Sequence, residues 1–305
     1  MAKIVVTGVA GCIGSWIAKH LVEDGHQVVG VDIAASLPMG ELLGISGEFP
    51  LVQLDVTDSG AYRRLLSDEK PDGVIHLASL LMPRCKADPL LCVDLNVKSF
   101  QTVLEAAREQ GFNVAYASSA WVMDSPDDDR QLTEDDPVAP KSLYGVYKLT
   151  NEWMSRTYAR DYGLACNGLR PYIVYGPGRE SGLTADVNLA LLAAAAGKPY
   201  RIGFGGQVAL HHASDVARLF IQLAVAPVDK GKVYNVRGTV ASMSEVVGAI
   251  ERVTGTSGLV DFEPTVLPIA ANLSDAALQL DYGPVGYFDL DEGLRRTLEV
   301  YGFTG

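Results

Sequence analysis

Four cysteines are spread over the 305 residues, at positions 12, 85, 92 and 166. Their spacing fits neither a zinc site nor the framework of a small disulfide-stapled domain. They read as reduced thiols of a cytosolic protein. Long apolar runs are also missing. The longest, "LALLAAAAG", falls well short of the ~20 residues that a membrane span needs. The opening "MAKIVVTG" reads as a strand and a glycine turn rather than a secretory leader. Positive charge is in deficit, with 25 Lys and Arg against 37 Asp and Glu and a net charge of −12. Phosphate polymers and anionic membranes are therefore disfavoured as main partners. No internal repeat is present. What remains is the composition of a globular enzyme, 48% hydrophobic and 20% charged.

A chain of this length suggests one large domain with a smaller lobe. Its first half alternates strands with helices. Apolar stretches at 3–8, 26–32, 49–56, 72–79, 112–119 and 164–171 read as strands, and 12–24, 58–68, 88–110 and 142–162 as helices. That alternation predicts an α/β fold, a Rossmann-type doubly wound parallel sheet with helices on both faces. After about residue 175 the alternation loosens. Helices are expected over 184–197, 214–225 and 243–255, the last opened by a serine cap, with a strand at 232–238 and an amphipathic tail. The expected division is a dinucleotide-binding domain at 1–175, with elements near 209–237 returning to it, and a C-terminal lobe at 176–305 for the substrate. The segment "DSPDDDRQLTEDDP" (124–137) carries seven carboxylates. Its prolines and polarity mark a solvated loop rather than a cation site.

"TGVAGCIGS" places Gly8, Gly11 and Gly14 between the first strand and the first helix, with Cys12 and Ile13 opening that helix. A pyrophosphate has to approach such a backbone closely, with no β-carbon in the way, and the helix N-terminus supplies free N–H donors. A glycine triplet alone equally describes a tight turn; its place between strand and helix favours the cradle. Asp32 ends the second strand, 24 residues after Gly8. An acid there accepts bonds from the adenosine ribose hydroxyls and repels a 2′-phosphate, which selects NAD over NADP. No Arg or Lys stands in "IAASLP" (33–38) to neutralise such a phosphate. Asp55 and Val56, at the end of the third strand, are placed to flank the adenine, although a strand-end turn explains Asp55 almost as well.

"YGVYK" (144–148) begins a predicted helix. Residues four apart share a helical face with Cβ atoms about 5–6 Å apart, so Tyr144 and Lys148 meet. Tyr147 is turned about 100° from Lys148. A phenol of pKa ~10 is a poor base at pH 7, and lowering it that far takes roughly 4 kcal/mol. An adjacent ammonium and a positively charged nicotinamide ring are suited to supply that. Ser119, at the end of the fifth strand, borders the expected cofactor crevice and is placed to hold the substrate oxygen that Tyr144 deprotonates.

With these residues in place the chain resembles the extended short-chain dehydrogenase/reductase family, also called the NAD-dependent epimerase/dehydratase family. "TGVAGCIG", "VVGVD", "LDVTD", "VIHLAS", "DLNVKS", "YASSA", "EDDPVAPKSLYGVYKLTNE", "LRPYIVYGPG" and "DLDEGLRRTLEVYG" occur in family order over nearly the whole chain. The resemblance implies Ser119, Tyr144 and Lys148 as the catalytic triad, with Tyr144 as acid and base. It implies Leu77, Ala78, Ser79, Asn96, Tyr172 and Val174, beside Tyr144 and Lys148, as cofactor contacts, and His76 as a buried histidine without chemistry. A cytoplasmic homodimer through the helices at 88–110 and 142–162 is also implied.

Three departures concern the substrate. Nucleotide-sugar enzymes of the family usually carry an asparagine where this chain has Ile173. They usually carry a diphosphate-gripping arginine where it has Val208. Sugar dehydratases place an Asp-Glu pair where it has Ala120 and Trp121. A buried diphosphate without its arginine loses charge-assisted bonds. The departures point to a small molecule, namely a free sugar, a sugar acid or a similar polyol, oxidised at a secondary hydroxyl. A sugar epimerase retaining NAD needs the same triad and stays open. Arg84, Arg179 and His211 fall where substrate contacts are expected, either arginine being suited to a carboxylate or simply exposed. No spacing supports a metal site.

Overall fold

The computed structural model describes residues 1–125 and 130–303. Among the described residues twelve strands are formed: β1 (Lys3–Thr7), β2 (Gln27–Asp32), β3 (Leu51–Gln53), β4 (Gly73–His76), β5 (Asn113–Ala117), β6 (Cys166–Arg170), β7 (Ile173–Tyr175), β8 (Tyr200–Ile202), β9 (Gln207–His212), β10 (Val233–Asn235), β11 (Thr239–Ser242) and β12 (Val260–Phe262). Eleven α-helices join them: α1 (Cys12–Glu23), α2 (Ser59–Glu69), α3 (Met82–Ala87), α4 (Pro89–Val93), α5 (Ser99–Gln110), α6 (Leu143–Tyr162), α7 (Asp186–Ala195), α8 (Ala213–Val225), α9 (Met243–Thr254), α10 (Ala276–Tyr282) and α11 (Leu290–Val300).

Seven strands form one parallel sheet in the order β10-β6-β5-β4-β1-β2-β3. The order reverses between β1 and β4, and the crevice beyond the strand ends there is where such sheets bind ligands. The strands are apolar on both faces, as sheets covered by helices on both sides must be. On β1, Ile4 and Val6 join Ile17 and Leu21 of α1 and Phe220 of α8, while Val5 faces Tyr62 of α2 and Phe100 of α5. Each long helix carries its own end signals. Ser142 accepts a bond from Gly145 N at the start of α6, and Gly163 closes that helix in the left-handed conformation. Ser242 and Glu245 form a reciprocal capping box at α9.

The return of 232–238 to the core occurs as β10 on the sheet edge. Other expectations are corrected. The third strand is only Leu51–Gln53. The helix expected over 88–110 is three pieces, with a π-helical turn at Asp94–Lys98 between α4 and α5. The run "LRPYIVYG" splits at Pro171, which has no N–H to continue a ladder. β6 stays in the main sheet, and β7 joins β9 and β11 in a second one. A third sheet pairs β8 with β12. Cys85 and Cys92 are joined as a disulfide, with Cα atoms 5.1 Å apart across α3 and α4, so only Cys12 and Cys166 remain thiols. Of the acidic segment, 126–129 lies outside the described residues. Its remainder is more than a solvated loop, since Leu132 is 1% exposed and Glu134 accepts a bond from Asn235 N at 2.8 Å. Among the described residues no helix is long and apolar enough to cross a membrane.

Candidate active site

At the switch point, Thr7 ties β1 to the chain leaving β4: its Oγ1 accepts from Leu77 N at 3.2 Å and Ala78 N at 3.3 Å. The backbone there leaves no room for side chains. Gly8 has φ +72°, and a β-carbon on Gly14 would lie 2.2 Å from the Gly8 carbonyl oxygen. No side chain caps the N-terminus of α1, and no acid stands in its first turn. The orphan N–H groups and the helix dipole are therefore available to an anion.

A cleft runs from this cradle along the strand ends. Its central cavity, about 620 Å³, is bordered by Gly8, Gly11, Cys12, Ile13, Gly14, Leu77, Ser79, Tyr172 and Val174, together with Ser119, Tyr144 and Lys148. A second cavity of about 540 Å³ continues over Asp32, Asp55, Val56, Ala78 and Ser79. Asp32 accepts bonds from Ala10 N at 2.9 Å and Ala34 N at 3.0 Å. These bonds aim the carboxylate across the cradle and leave it lone pairs for ribose hydroxyls. Asp55 spends one oxygen on Thr57 N (2.9 Å) and Thr57 Oγ1 (2.7 Å), so the turn role and the cavity wall coincide.

Ser119, Tyr144 and Lys148 are 4%, 9% and 3% exposed, so each is shut from bulk water except through the cleft. Ser119 follows β5 and caps a short 3₁₀ turn. Lys148 Nζ donates to the Ala117 carbonyl at 2.7 Å and lies 5.5 Å from the centre of the Tyr144 ring. Burial pulls the Lys148 pKa down to about 8, which leaves the ammonium predominantly charged at neutral pH. Burial pushes the Tyr144 phenol up, while the Ser119 hydroxyl and the Arg179 charge pull it down. Tyr147 turns away and reaches the Pro89 carbonyl at 3.5 Å.

A buried ion pair fixes this wall. Glu152, one turn past Lys148 on α6, takes Arg170 Nε at 2.8 Å and Nη2 at 2.6 Å, and accepts from Ser118 Oγ at 2.5 Å. Both partners are fully buried. The pair locks α6 to β6 and to the residue preceding Ser119. Sequence reading missed it, because its two charges stand in different elements. His76 is buried and bonded to Thr7 and Ser99, and burial drops its pKa to about 3.

Other expected residues lie elsewhere. Asn96 sits in the π-helical turn, where its amide clamps Leu80 N (2.7 Å) and Leu80 O (2.9 Å), and its carbonyl receives Asn151 (2.8 Å). It shapes the backbone beside Ser79 and borders neither cavity, because its polar groups are already committed. Arg84 is exposed on α3 and borders none of the cavities of the cleft. His211 is 1% exposed within β9, paired to β7 and β11, and borders neither cavity. Arg179, by contrast, reaches the cleft beside Tyr144. Val208 is wholly buried in the lobe core, and so is Ile173.

A parallel sheet with a glycine cradle and an acid at the end of its second strand defines a nicotinamide-dinucleotide enzyme. More narrowly, the chain belongs to the NAD dependent epimerase/dehydratase family, whose family model matches residues 4–236. It is 30% identical to a UDP-glucose 4-epimerase of Mycolicibacterium smegmatis, over 98% of each chain. It superposes on the UDP-glucose 4-epimerase of Thermus thermophilus, solved in complex with NAD, with TM-score 0.85 and 25% identity over 98% of this chain and 99% of that one. L-threonine dehydrogenase of Clostridium difficile shares the fold at TM-score 0.85 and 21% identity, covering 100% of this chain and 99% of that one. The chain is thus an NAD-dependent enzyme of the epimerase/dehydratase family.

Proposed function

We propose that this enzyme is an NAD-dependent oxidoreductase acting on a secondary hydroxyl of a sugar, sugar acid or similar small polyol. One observation carries the reading. Tyr144 and Lys148 share a face of α6 opposite Ser119, and all three border the cavity that begins at the glycine cradle. NAD⁺, when bound, supplies a hydride acceptor. Gly8, Gly11 and Gly14 would admit its pyrophosphate, and Asp32 its adenosine ribose. Ser119 Oγ holds the substrate oxygen. Tyr144, as phenolate, takes the hydroxyl proton while the carbon gives up its hydride, leaving a ketone. The Lys148 ammonium stabilises the phenolate, and each pKa unit so gained is worth about 1.4 kcal/mol. In this reading residues 1–175, with the return near 209–237, carry the cofactor, and 176–305 mainly the substrate.

The test is absorbance at 340 nm after mixing protein, NAD⁺ and a panel of sugars, sugar acids and polyols. NADH is expected with at least one, and Tyr144→Phe is expected to lower kcat about 10²–10⁴-fold. Absence of NADH across the panel sinks the reading. The UDP-glucose 4-epimerase relatives favour a second reading, transient oxidation and return of the hydride to the other face. Interconversion of UDP-glucose and UDP-galactose with no net NADH distinguishes it. Val208 counts against that reading, since by the resemblance it stands where nucleotide-sugar enzymes carry a diphosphate-gripping arginine.

Exposed Leu143, Val146, Trp153 and Tyr162 on α6 support pairing of two copies through α5 and α6. A doubled mass in sedimentation, lost in Trp153→Glu, is the expected outcome. An enzyme drawing on the NAD pool is placed in the cytoplasm by this reading. A signal from a tagged copy confined to another compartment contradicts that placement.

A further inference from the structure

The cleft ends in a compartment of about 60 Å³ bordered by Ser119 and Tyr144 on one side and Arg179 on the other. Its remaining walls are largely apolar: Leu81, Met82, Pro83, Trp121, Tyr172 and Leu183. Arg179, half-buried, differs from the buried cations. Lys148 is bonded to a carbonyl and Arg170 is paired with Glu152. Among the described residues no carboxylate forms an ion pair with Arg179, and its Nε is buried without a hydrogen-bond partner. The adjacent Glu180 is exposed and turns to the Tyr301 hydroxyl at 3.4 Å.

The loop is built around this guanidinium. Arg179 N donates to the Gly176 carbonyl at 3.0 Å, and Asn188 Nδ2 donates to the Arg179 carbonyl at 3.1 Å. Nη2 donates to Thr184 Oγ1 at 3.0 Å, which fixes the plane of the fork. Gly182 has φ +96°. A β-carbon there would meet Leu81 Cδ1 at 2.9 Å and Nη2 at 3.4 Å, so the chain can close over the arginine only as glycine. A held fork with a buried, unused Nε–H is incomplete, because a buried donor without a partner is costly. The Nη–H groups not engaged by Thr184 are suited to the oxygens of a carboxylate. Among the described residues Arg179 is the one cation bordering the compartment, which balances one negative charge and leaves a phosphate dianion half compensated. The proximity of Arg179 to the reacting phenol also shows in its pull on the Tyr144 pKa.

We propose that Arg179 grips a substrate carboxylate, so that the substrate is a small hydroxy acid oxidised a few bonds from its acid group. This rests on the oxidoreductase reading above, but binding can be measured apart from turnover. The experiment is calorimetric titration of NAD⁺-loaded Tyr144→Phe protein with glycerate, threonate and gluconate, and with glycerol, threitol and glucitol as neutral counterparts. At least one acid is expected to bind tenfold or more tighter than its counterpart. Adding Arg179→Gln should erase that preference, while NAD⁺ affinity and melting temperature hold. Arg179→Lys, which keeps the charge and loses the fork, should restore only part of it. No acid preference, a preference that survives Arg179→Gln, or an effect of that change mainly on NAD⁺ affinity overturns the proposal. Acid binding without NADH formation in the wild type leaves the anion site standing and sinks the oxidoreductase reading instead.

Discussion

On the cofactor side of the cleft the walls are glycine backbone at the end of β1 and the start of α1, flanked by residues that follow β2, β3 and β4. On the substrate side they are side chains, brought together from α3, the 3₁₀ turn after β5, α6 and the loop after β7. The first kind of wall recognises what every dinucleotide shares, a pyrophosphate and two riboses. The second has to recognise one substrate, and can change without disturbing the sheet. In the proposed reading chemistry sits on the seam, where Ser119, Tyr144 and Lys148 border the cavity.

This contrast can be broken experimentally. The largest effect is expected from one carbon on the backbone side. Gly14→Ala places a methyl 2.2 Å from the Gly8 carbonyl oxygen, which forces α1 off the cradle. NAD⁺ affinity measured by titration should fall by about a hundredfold or more, the equivalent of ~3 kcal/mol. Acidification comes next and strikes both sides. Burial drops the pKa values of His76, His211 and His212 to about 3, 3 and 4. The unfolded chain protonates these imidazoles near pH 6.5 and so binds more protons below it, and stability falls as pH drops from about 6.5 towards 4. Asp215, raised to about 6 by burial, and Glu134, also raised by burial, work oppositely, two carboxyls against four imidazoles once His20, likewise lowered by burial, is included. Melting temperatures at pH 7, 5.5 and 4 check the sign; a flat profile contradicts it.

A smaller change is expected at Asp32. Asp32→Asn removes a charge but keeps a hydrogen-bonding side chain, so NAD⁺ should weaken about tenfold and the preference over NADP⁺ shrink, read from the two dissociation constants. The smallest effect belongs to the substrate side. Thr184→Val frees Arg179 Nη2 and should raise the KM of the true substrate several-fold with kcat nearly unchanged, as loss of one orienting bond does.

Legibility followed the same seam. The cradle, Asp32 and the Tyr144–Lys148 pair are local signals: a few residues fix the backbone shape, and their spacing reveals it. Arg179 and Arg84 looked alike in sequence, each an arginine on a connecting segment. What separates them is Gly182, Thr184 and Asn188 folding over one, while the other is exposed on α3. In the sequence His211 is a candidate substrate contact only because it falls in the expected substrate lobe. Its burial comes from pairing with β7 and β11, which are distant in sequence. The Cys85–Cys92 bond was hidden because α3 and α4 are each too short to announce themselves.

The edge strand β10 has a bearing on how the protein is made. Its Asn235 stands 3.3 Å from the buried Arg170 guanidinium, and its pairing covers the exposed flank of β6. During synthesis, chain emerges from the N-terminus onward. The sheet that receives the cofactor is therefore unfinished until residues well into the second half have left the ribosome. A fragment ending near residue 175 would leave β6 as a bare edge with a charged side chain beneath it, which is the setting for aggregation. If the two halves differ in task as proposed, they are still not independent in birth.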